Sequence, residues 1–111
     1  MREIFVFGSN LAGRHGKGAA LYAKQHHGAI YGQGVGLQGD SYAIPTKYGD
    51  LRVLRLQWIL HEITDFMAFV KSNPDMQFNI TRIGCGLAGY DWDKDIRPLF
   101  PTTLPTNCKF I

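Results

Sequence analysis

The sequence predicts an α/β fold in which a mainly parallel β-sheet carries helices on both of its faces. Short apolar runs rich in β-branched and aromatic residues alternate along the chain with segments of helical periodicity. Glycine-rich loops follow two of these runs, as loops do at the carboxyl edge of a parallel sheet. The chain has 111 residues, of which 45% are hydrophobic, and this length suits one hydrophobic core rather than two. We therefore expect a single domain over residues 1–111.

The first predicted strand spans residues 3–8. It contains four consecutive apolar residues, Ile4 to Phe7, and unbroken apolarity is typical of a strand buried on both faces of a parallel sheet. After a loop, residues 19–25 predict a short helix whose small side chains allow a close approach to the sheet. Gly28 is a suitable stop for this helix, because glycine readily adopts the left-handed conformation that often ends a helix.

The middle of the chain predicts a loop, a strand and the longest helix. Residues 28–39 contain five glycines and are expected to form a loop. Residues 41–46 predict a second strand, with Pro45 near its end, where a missing N–H group is tolerated. Residues 55–72 predict a helix, and Trp58 on this helix is expected to lie in the core. The apolar stripe of the helix recurs at helical spacing and comprises Ile59, Ile63, Phe66 and Val70.

Two further strands and a short helix complete the predicted fold. Alternating apolar residues predict a third strand over residues 78–83. Residues 93–100 predict a short helix, and residues 108–111 predict the last strand. Each of the four strands is expected to place one apolar residue in the interior, and these are Val6, Ile44, Ile80 and Phe110.

Loops that follow parallel strands should meet at one edge of the sheet, because right-handed crossovers return the chain in the same sense each time. Gly8, Thr46 and Gly84 are therefore expected at the carboxyl edge, where ligands bind in open α/β sheets. Residues 16–18 and 84–89 are rich in glycine and each precede a helix. Exposed N–H groups that lead into a helix N-terminus bind anions, so the sequence predicts a phosphate-binding edge.

Two common nucleotide-binding motifs are incomplete in this sequence. Residues 84–89 match G-x-G-x-x-G, but no acidic second strand follows about 20 residues later, as the dinucleotide-binding fold requires. Residues 34–39 match the same pattern but precede a strand, and we interpret that match as a coincidence of a glycine-rich loop. Lys17 lies between Gly16 and Gly18 and is not followed by Ser or Thr, so the sequence does not predict a Walker A ATPase.

Composition and charge narrow the classes of function. The formal charge is +3 and the basic residues are scattered, so no surface for duplex nucleic acid is indicated. No apolar run of about 18 residues occurs, so no membrane partner is expected. The N-terminus lacks a signal-peptide pattern, which predicts a cytoplasmic protein with Cys85 and Cys108 reduced. No cofactor and no metal site are expected, since the two cysteines and the adjacent His26 and His27 do not supply a ligand set.

The order of these segments resembles a macro domain. Residues 6–10 and 13–18 resemble the segment in which a strand ends in an asparagine and a glycine-rich loop opens a helix. Residues 43–46 resemble the next core strand, and residues 81–90 resemble the later strand and phosphate loop. More specifically, the chain is similar to small uncharacterised macro-like proteins of phages and bacteria. The resemblance implies a three-layer α/β/α fold, truncated at the N-terminus because the usual leading strand with its adenine-binding aspartate is missing.

The resemblance also implies binding of ADP-ribose, or of a related phosphate-bearing nucleotide, through the two glycine-rich loops. Asn10 would contact the distal ribose, and Tyr90 would stack on a sugar or base. The alternatives are an ADP-ribosyl or nucleotide hydrolase, and a sponge that sequesters a signalling nucleotide in phage–host defence. The paired glutamates of the poly-ADP-ribose-cleaving relatives are absent. The full set of expected ligand-binding residues is Asn10, Gly16, Lys17, Gly18, Thr46, Gly84, Cys85, Gly86, Leu87, Ala88, Gly89 and Tyr90.

Several residues near the two loops are candidates for chemistry. His15 could act as an acid, a base or a phosphate donor, with an exposed loop histidine as the alternative. Asp40 and Asp91 could position a water for hydrolysis, with turn and cap roles as the alternatives. Backbone N–H groups near Cys85 could lower the pKa of its thiol, with a buried thiol as the alternative. Trp92 could wall the site or pack in the core, and the short sheet leaves an edge that a second copy of the chain could cover.

Overall fold

The strand that comes first in the chain lies at the centre of the sheet. The computed structural model describes residues 1–50 and 52–111. Its five-stranded sheet has the order β2-β3-β1-β4-β5, with β1 parallel to both of its neighbours, β4 parallel to β5, and β2 antiparallel to β3. The predicted α/β class with a mainly parallel sheet is therefore confirmed. The strands are β1 (Arg2–Asn10), β2 (Gly36–Gln38), β3 (Ser41–Lys47), β4 (Met76–Ile80) and β5 (Cys108–Phe110).

Helices cover both faces of the sheet. They are α1 (Gly18–His26), α2 (Leu56–Ser72) and a C-terminal helical turn, which is π-helical over Trp92–Ile96 and 3₁₀-helical over Arg97–Leu99. Side chains alternate across β1, so Phe7 packs on the face that α1 covers, whereas Ile4 and Val6 join the larger core beneath α2. No helix within the described residues has the length and apolar character needed to cross a bilayer.

The structure corrects three of the sequence-based expectations about the fold. The segment predicted as a single loop contains β2, which pairs with β3 after the turn at Gly39 and Asp40. The third strand ends at Ile80 rather than at residue 83, because Ile83 instead turns back and its N–H group bonds to the carbonyl of Thr81. Phe110, the fourth residue expected in the interior, is only half-buried, although Val6, Ile44 and Ile80 are buried as expected.

The expectation that Trp58 lies in the core is wrong. Its side chain is 51% exposed, whereas Ile59 beside it is fully buried. Successive residues on an α-helix point about 100° apart, so Trp58 falls outside the buried stripe that runs through Ile59, Ile63 and Phe66.

Candidate functional site

The loops that leave β1, β3 and β4 enclose one cleft at the carboxyl edge of the sheet. The cleft has a volume of about 750 Å³ and lies between the N-terminus of α1 and the segment that follows β4. Gly8, Thr46 and Gly84 all line it, which confirms that they lie at one edge. Gly8 and Gly84 are so close that a Cβ atom added to Gly8 would lie 3.5 Å from the backbone nitrogen of Gly84.

Most of the residues expected to bind a ligand line this cleft. The exceptions are Cys85, Gly89 and Tyr90, which lie outside the lining. Both glycine-rich loops contribute, so two segments far apart in sequence form the two sides of one cleft. The expected residues that do line it are Asn10, Gly16, Lys17, Gly18, Thr46, Gly84, Gly86, Leu87 and Ala88.

Cys85 and Tyr90 belong to the packing beneath the cleft. The hydroxyl of Tyr90 donates a hydrogen bond of 2.6 Å to the carbonyl of Leu54, and its half-buried ring packs against the core. The Cys85 thiol donates to the carbonyl of Ile83 at 3.4 Å. Partial burial, with a smaller contribution from the carboxylate of Asp91, raises the pKa of the Cys85 thiol above its ordinary value. The thiol is therefore held protonated, so of the two alternatives for Cys85 the packed thiol is supported and the reactive thiolate is not.

The three candidate catalytic residues lie outside the cleft lining. Asp40 accepts a hydrogen bond of 2.7 Å from the guanidinium of Arg2 at the opposite edge of the sheet, where β1 begins. Asp91 caps the C-terminal helical turn, because its Oδ2 accepts from the backbone N–H of Lys94 at 2.8 Å. His15 is 1% exposed, so it is neither the loop histidine that projects into solvent nor a residue on the cleft surface.

Asn10 holds the first loop in shape with its side-chain amide. Its Nδ2 donates to the backbone carbonyl of Arg14 at 3.1 Å, and its Oδ1 accepts from the backbone N–H of Arg14 at 3.0 Å. These two bonds close the turn that leaves β1. One amide hydrogen and part of the oxygen's accepting capacity are left over, so a ligand in the cleft could still be contacted.

A buried polar network beneath the first loop was missed by the sequence reasoning. His15 Nε2 lies 2.9 Å from the carbonyl oxygen of Gln33 and 3.1 Å from Oε1 of Gln38, both of which are acceptors, so Nε2 carries the proton. Gln38 is also buried, and its Oε1 accepts from the backbone N–H of Ile30 at 2.8 Å. The network ties the segment around β2 to the base of the first loop. Gly34 completes this contact, since a Cβ atom there would overlap the backbone carbonyl of Asn10.

The N-terminus of α1 opens into the cleft without a side-chain cap. Lys17 occupies the N-cap position and makes no capping hydrogen bond, and the first turn contains no acidic residue. Gly18, Ala19 and Ala20 all line the cleft. The N–H groups of this first turn have no intrahelical partners, so they and the helix dipole present partial positive charge to the cleft.

The charged side chains that line the cleft are mainly basic. Within the described residues they include one carboxylate, that of Asp50, which is paired with Arg52 at 2.9 Å. A hydrogen bond from the backbone N–H of Arg52 keeps the pKa of Asp50 below its ordinary value, so this carboxylate is ionised. The basic side chains form no ion pair with any described residue, and they are Arg14, Lys17, Lys47 and Arg82. The cleft is therefore electropositive.

Several of these residues could have been found from the sequence. Ser9, Lys47 and Arg82 stand at or just after the ends of β1, β3 and β4. The carboxyl ends of parallel strands meet at one edge, so every polar residue at such an end is a candidate for the ligand site.

Within the described residues, no group of three histidine, cysteine or acidic side chains lies close enough to hold a metal ion.

Two solved structures share the fold of this chain, and both are proteins of Bacteroides thetaiotaomicron. One, described as a protein of unknown function, is 21% identical with a TM-score of 0.58, and the match covers 87% of this chain and 76% of the other. The second is 19% identical with a TM-score of 0.58, and the match covers 88% of this chain and 78% of the other. At these identities the likeness shows the fold alone. No protein-family model and no curated protein matches the chain.

Proposed function

We propose that the protein binds ADP-ribose, or a related phosphate-bearing nucleotide, in the cleft at the carboxyl edge of the sheet. The observation that carries the proposal is that one cleft is lined by the N-terminus of α1, the glycine-rich segment after β4 and four basic side chains that have no ion-pair partner among the described residues. Backbone N–H groups at a helix N-terminus bind phosphate oxygens, and glycine lets the backbone approach a ligand closely. The resemblance of the two glycine-rich segments to those of macro domains points to the same class of ligand.

The dimensions of the cleft suit a nucleotide. Its volume of about 750 Å³ falls within the range of about 300–1,000 Å³ that small-molecule sites occupy. Gly16 and Gly86 lie on its two sides, and a Cβ atom added to either would meet no described atom within 4 Å apart from its chain neighbours. The space above both glycines is therefore open to a ligand.

Binding is favoured over hydrolysis of the ligand. Of the described residues that line the cleft, Asp50 carries the single carboxylate, and Arg52 engages it. His15, Asp40 and Asp91 are placed elsewhere, so no acid–base pair faces the proposed ligand among the described residues. Sequestration of a signalling nucleotide would use the same cleft and would leave the nucleotide intact, whereas a hydrolase would release product.

Calorimetric titration tests this function. ADP-ribose should bind with a measurable dissociation constant, and adenosine, which lacks the diphosphate, should bind at least about 100-fold more weakly because it forgoes the charge-assisted contacts. Equal affinity for the two compounds would contradict the proposal, as would a failure of ADP-ribose to bind at millimolar concentration. Chromatography of ADP-ribose incubated with the protein for several hours should show the ligand unchanged. Release of product would instead assign hydrolase activity.

A further inference from the structure

A second, smaller pocket lies on the α2 side of the same sheet edge. Its volume is about 260 Å³, and it is lined by Leu11, Tyr48, Leu54, Trp58 and Glu62. A backbone hydrogen bond of 3.0 Å from Leu11 N–H to the Lys47 carbonyl joins the two segments that separate this pocket from the main cleft. The pocket shares no lining residue with the main cleft.

The walls of the pocket combine two aromatic rings with one acidic side chain. Trp58 is 51% exposed although it is the largest side chain on α2, and Tyr48 also lines the pocket. The aromatic ring of Tyr48 already makes one cation–π contact, since the guanidinium of Arg52 lies 4.7 Å from the ring centroid. Arg52 does not line the pocket, and its charge is balanced by Asp50 at 2.9 Å.

Glu62 supplies a negative charge that the described residues do not neutralise. It forms no hydrogen bond and no ion pair with any of them, and its neighbour His61 is directed to Asp65 at 3.6 Å. Burial, together with the nearby charge of Asp65, raises the pKa of the Glu62 carboxyl above its ordinary value. A carboxylate that is partly desolvated and unpaired is stabilised by an incoming cation.

We propose that this pocket binds an organic ammonium group, either of a small molecule or of a lysine side chain. Aromatic faces attract ammonium groups through the ring quadrupole, and recognition of methylated ammonium groups commonly relies on such rings. The buried Leu54 and the exposed Leu11 offer apolar contact to alkyl substituents, which a metal ion or a hydrated inorganic cation would not use. The pocket and the main cleft thus select opposite charges, and this inference does not depend on the identity of the nucleotide.

The test is a fluorescence titration with a cation and its neutral counterpart. The protein carries the substitution Trp92→Phe, so that Trp58 is the remaining tryptophan. The probes are tetramethylammonium chloride and the neutral 2,2-dimethylpropanol, at constant ionic strength kept with sodium chloride. Tetramethylammonium should produce a saturable change, and the neutral alcohol should bind roughly 3- to 30-fold more weakly. Equal binding of the two probes, or no saturable change with the cation, would overturn the proposal.

Two charge-removing variants show whether Glu62 is responsible. Glu62→Gln should lower the affinity for tetramethylammonium several-fold and should remain folded, because it removes a partly desolvated charge. Asp75→Asn is the matched control, since Asp75 is exposed near the start of β4 at the opposite edge of the sheet. This variant should bind tetramethylammonium with the same affinity as the parent protein. An unchanged affinity in folded Glu62→Gln would contradict the inference. A peptide containing trimethyl-lysine that binds at least about tenfold more tightly than tetramethylammonium would assign a protein side chain as the source, and equal affinities would assign a free small molecule.

Discussion

The side-chain amide of Asn10 pairs with both backbone groups of Arg14. Nδ2 donates to the carbonyl at 3.1 Å and Oδ1 accepts from the N–H group at 3.0 Å, so the amide mimics a backbone strand partner. The turn that leaves the central strand is thereby fixed two residues before Gly16. Asn10 therefore sets the shape of a loop that lines the proposed binding site.

Asn10→Ala should weaken ADP-ribose binding by about 10- to 100-fold. The substitution removes any contact with the ligand, a loss worth about 1–3 kcal/mol when a polar group is left unpaired. It also removes both bonds to Arg14 that shape the loop. Asn107→Ala is the control, because the Asn107 amide also bonds to two backbone carbonyls, at 3.1 Å each, but in the region of α2. The control should lower the melting temperature without changing the dissociation constant. An unaltered dissociation constant in Asn10→Ala would remove Asn10 from the site.

Gly86→Val should abolish binding while leaving the fold intact. Apart from its chain neighbours, no described atom lies within 4 Å of a Cβ added at Gly86, and its φ is not in the left-handed region. Valine therefore meets no clash in the described protein and takes up open space at the cleft. The control is Ala68→Val, which places a valine at an exposed position of α2. Calorimetry and thermal melts of both variants give the comparison. Full affinity in a folded Gly86→Val protein would place the ligand elsewhere.

Lys17→Gln should lower the affinity for ADP-ribose by roughly 3- to 10-fold and should flatten its dependence on salt concentration. Lys17 lines the cleft at the start of α1 without an ion-pair partner among the described residues, so its charge is available to an anion. Lys71→Gln, in the last turn of α2, removes an equal charge away from the cleft and should change neither quantity. Titrations at two sodium chloride concentrations measure both effects. Equal salt dependence in the two variants would argue against a phosphate near Lys17.

Tyr42 should make the protein less stable in alkaline solution. Burial raises the pKa of its hydroxyl from 10.0 to about 12, so the folded state holds this proton more tightly than the unfolded chain does. Stability is therefore lost as the pH rises from about 10 towards 12. At pH 11 the loss attributable to Tyr42 is on the order of 1 kcal/mol, and Tyr42→Phe should lack it. Urea unfolding of both proteins at pH 8 and pH 11 measures the difference, and equal losses would refute the assignment.

The strands and helices that carry a strong apolar signal could be predicted from the sequence. The run from Ile4 to Phe7 indicated the central strand, and the stripe through Ile59 and Phe66 indicated α2 to within one residue at its start. The edge at which Gly8 and Gly84 meet followed from the handedness of crossovers rather than from any single motif. For this reason the location of the cleft could be predicted, whereas the basic residues that line it are scattered along the sequence and come together only in the fold.

What the sequence did not reveal depends on contacts between distant residues. Leu37 is the one large apolar residue of β2, which forms because β3 offers it a pairing edge. Polar residue types predict exposure, so the burial of His15 and Gln38 becomes visible only when the loops around them are packed. Tyr90 adjoins the second glycine-rich loop in sequence, yet its hydroxyl bonds to Leu54 on the inner side. Neighbours in a loop can point to opposite sides, and sequence proximity does not distinguish the two.

Amide NMR during titration with ADP-ribose tests the central claim most directly. Saturable shifts should be largest for the amides of residues 16–20 and 84–88, which form the two sides of the cleft, and they should include Gly8 between them. The amides around Trp58 and Glu62 in the second pocket should change little. Shifts centred on α2, or none at millimolar ADP-ribose, would contradict the assignment of this cleft as the nucleotide site.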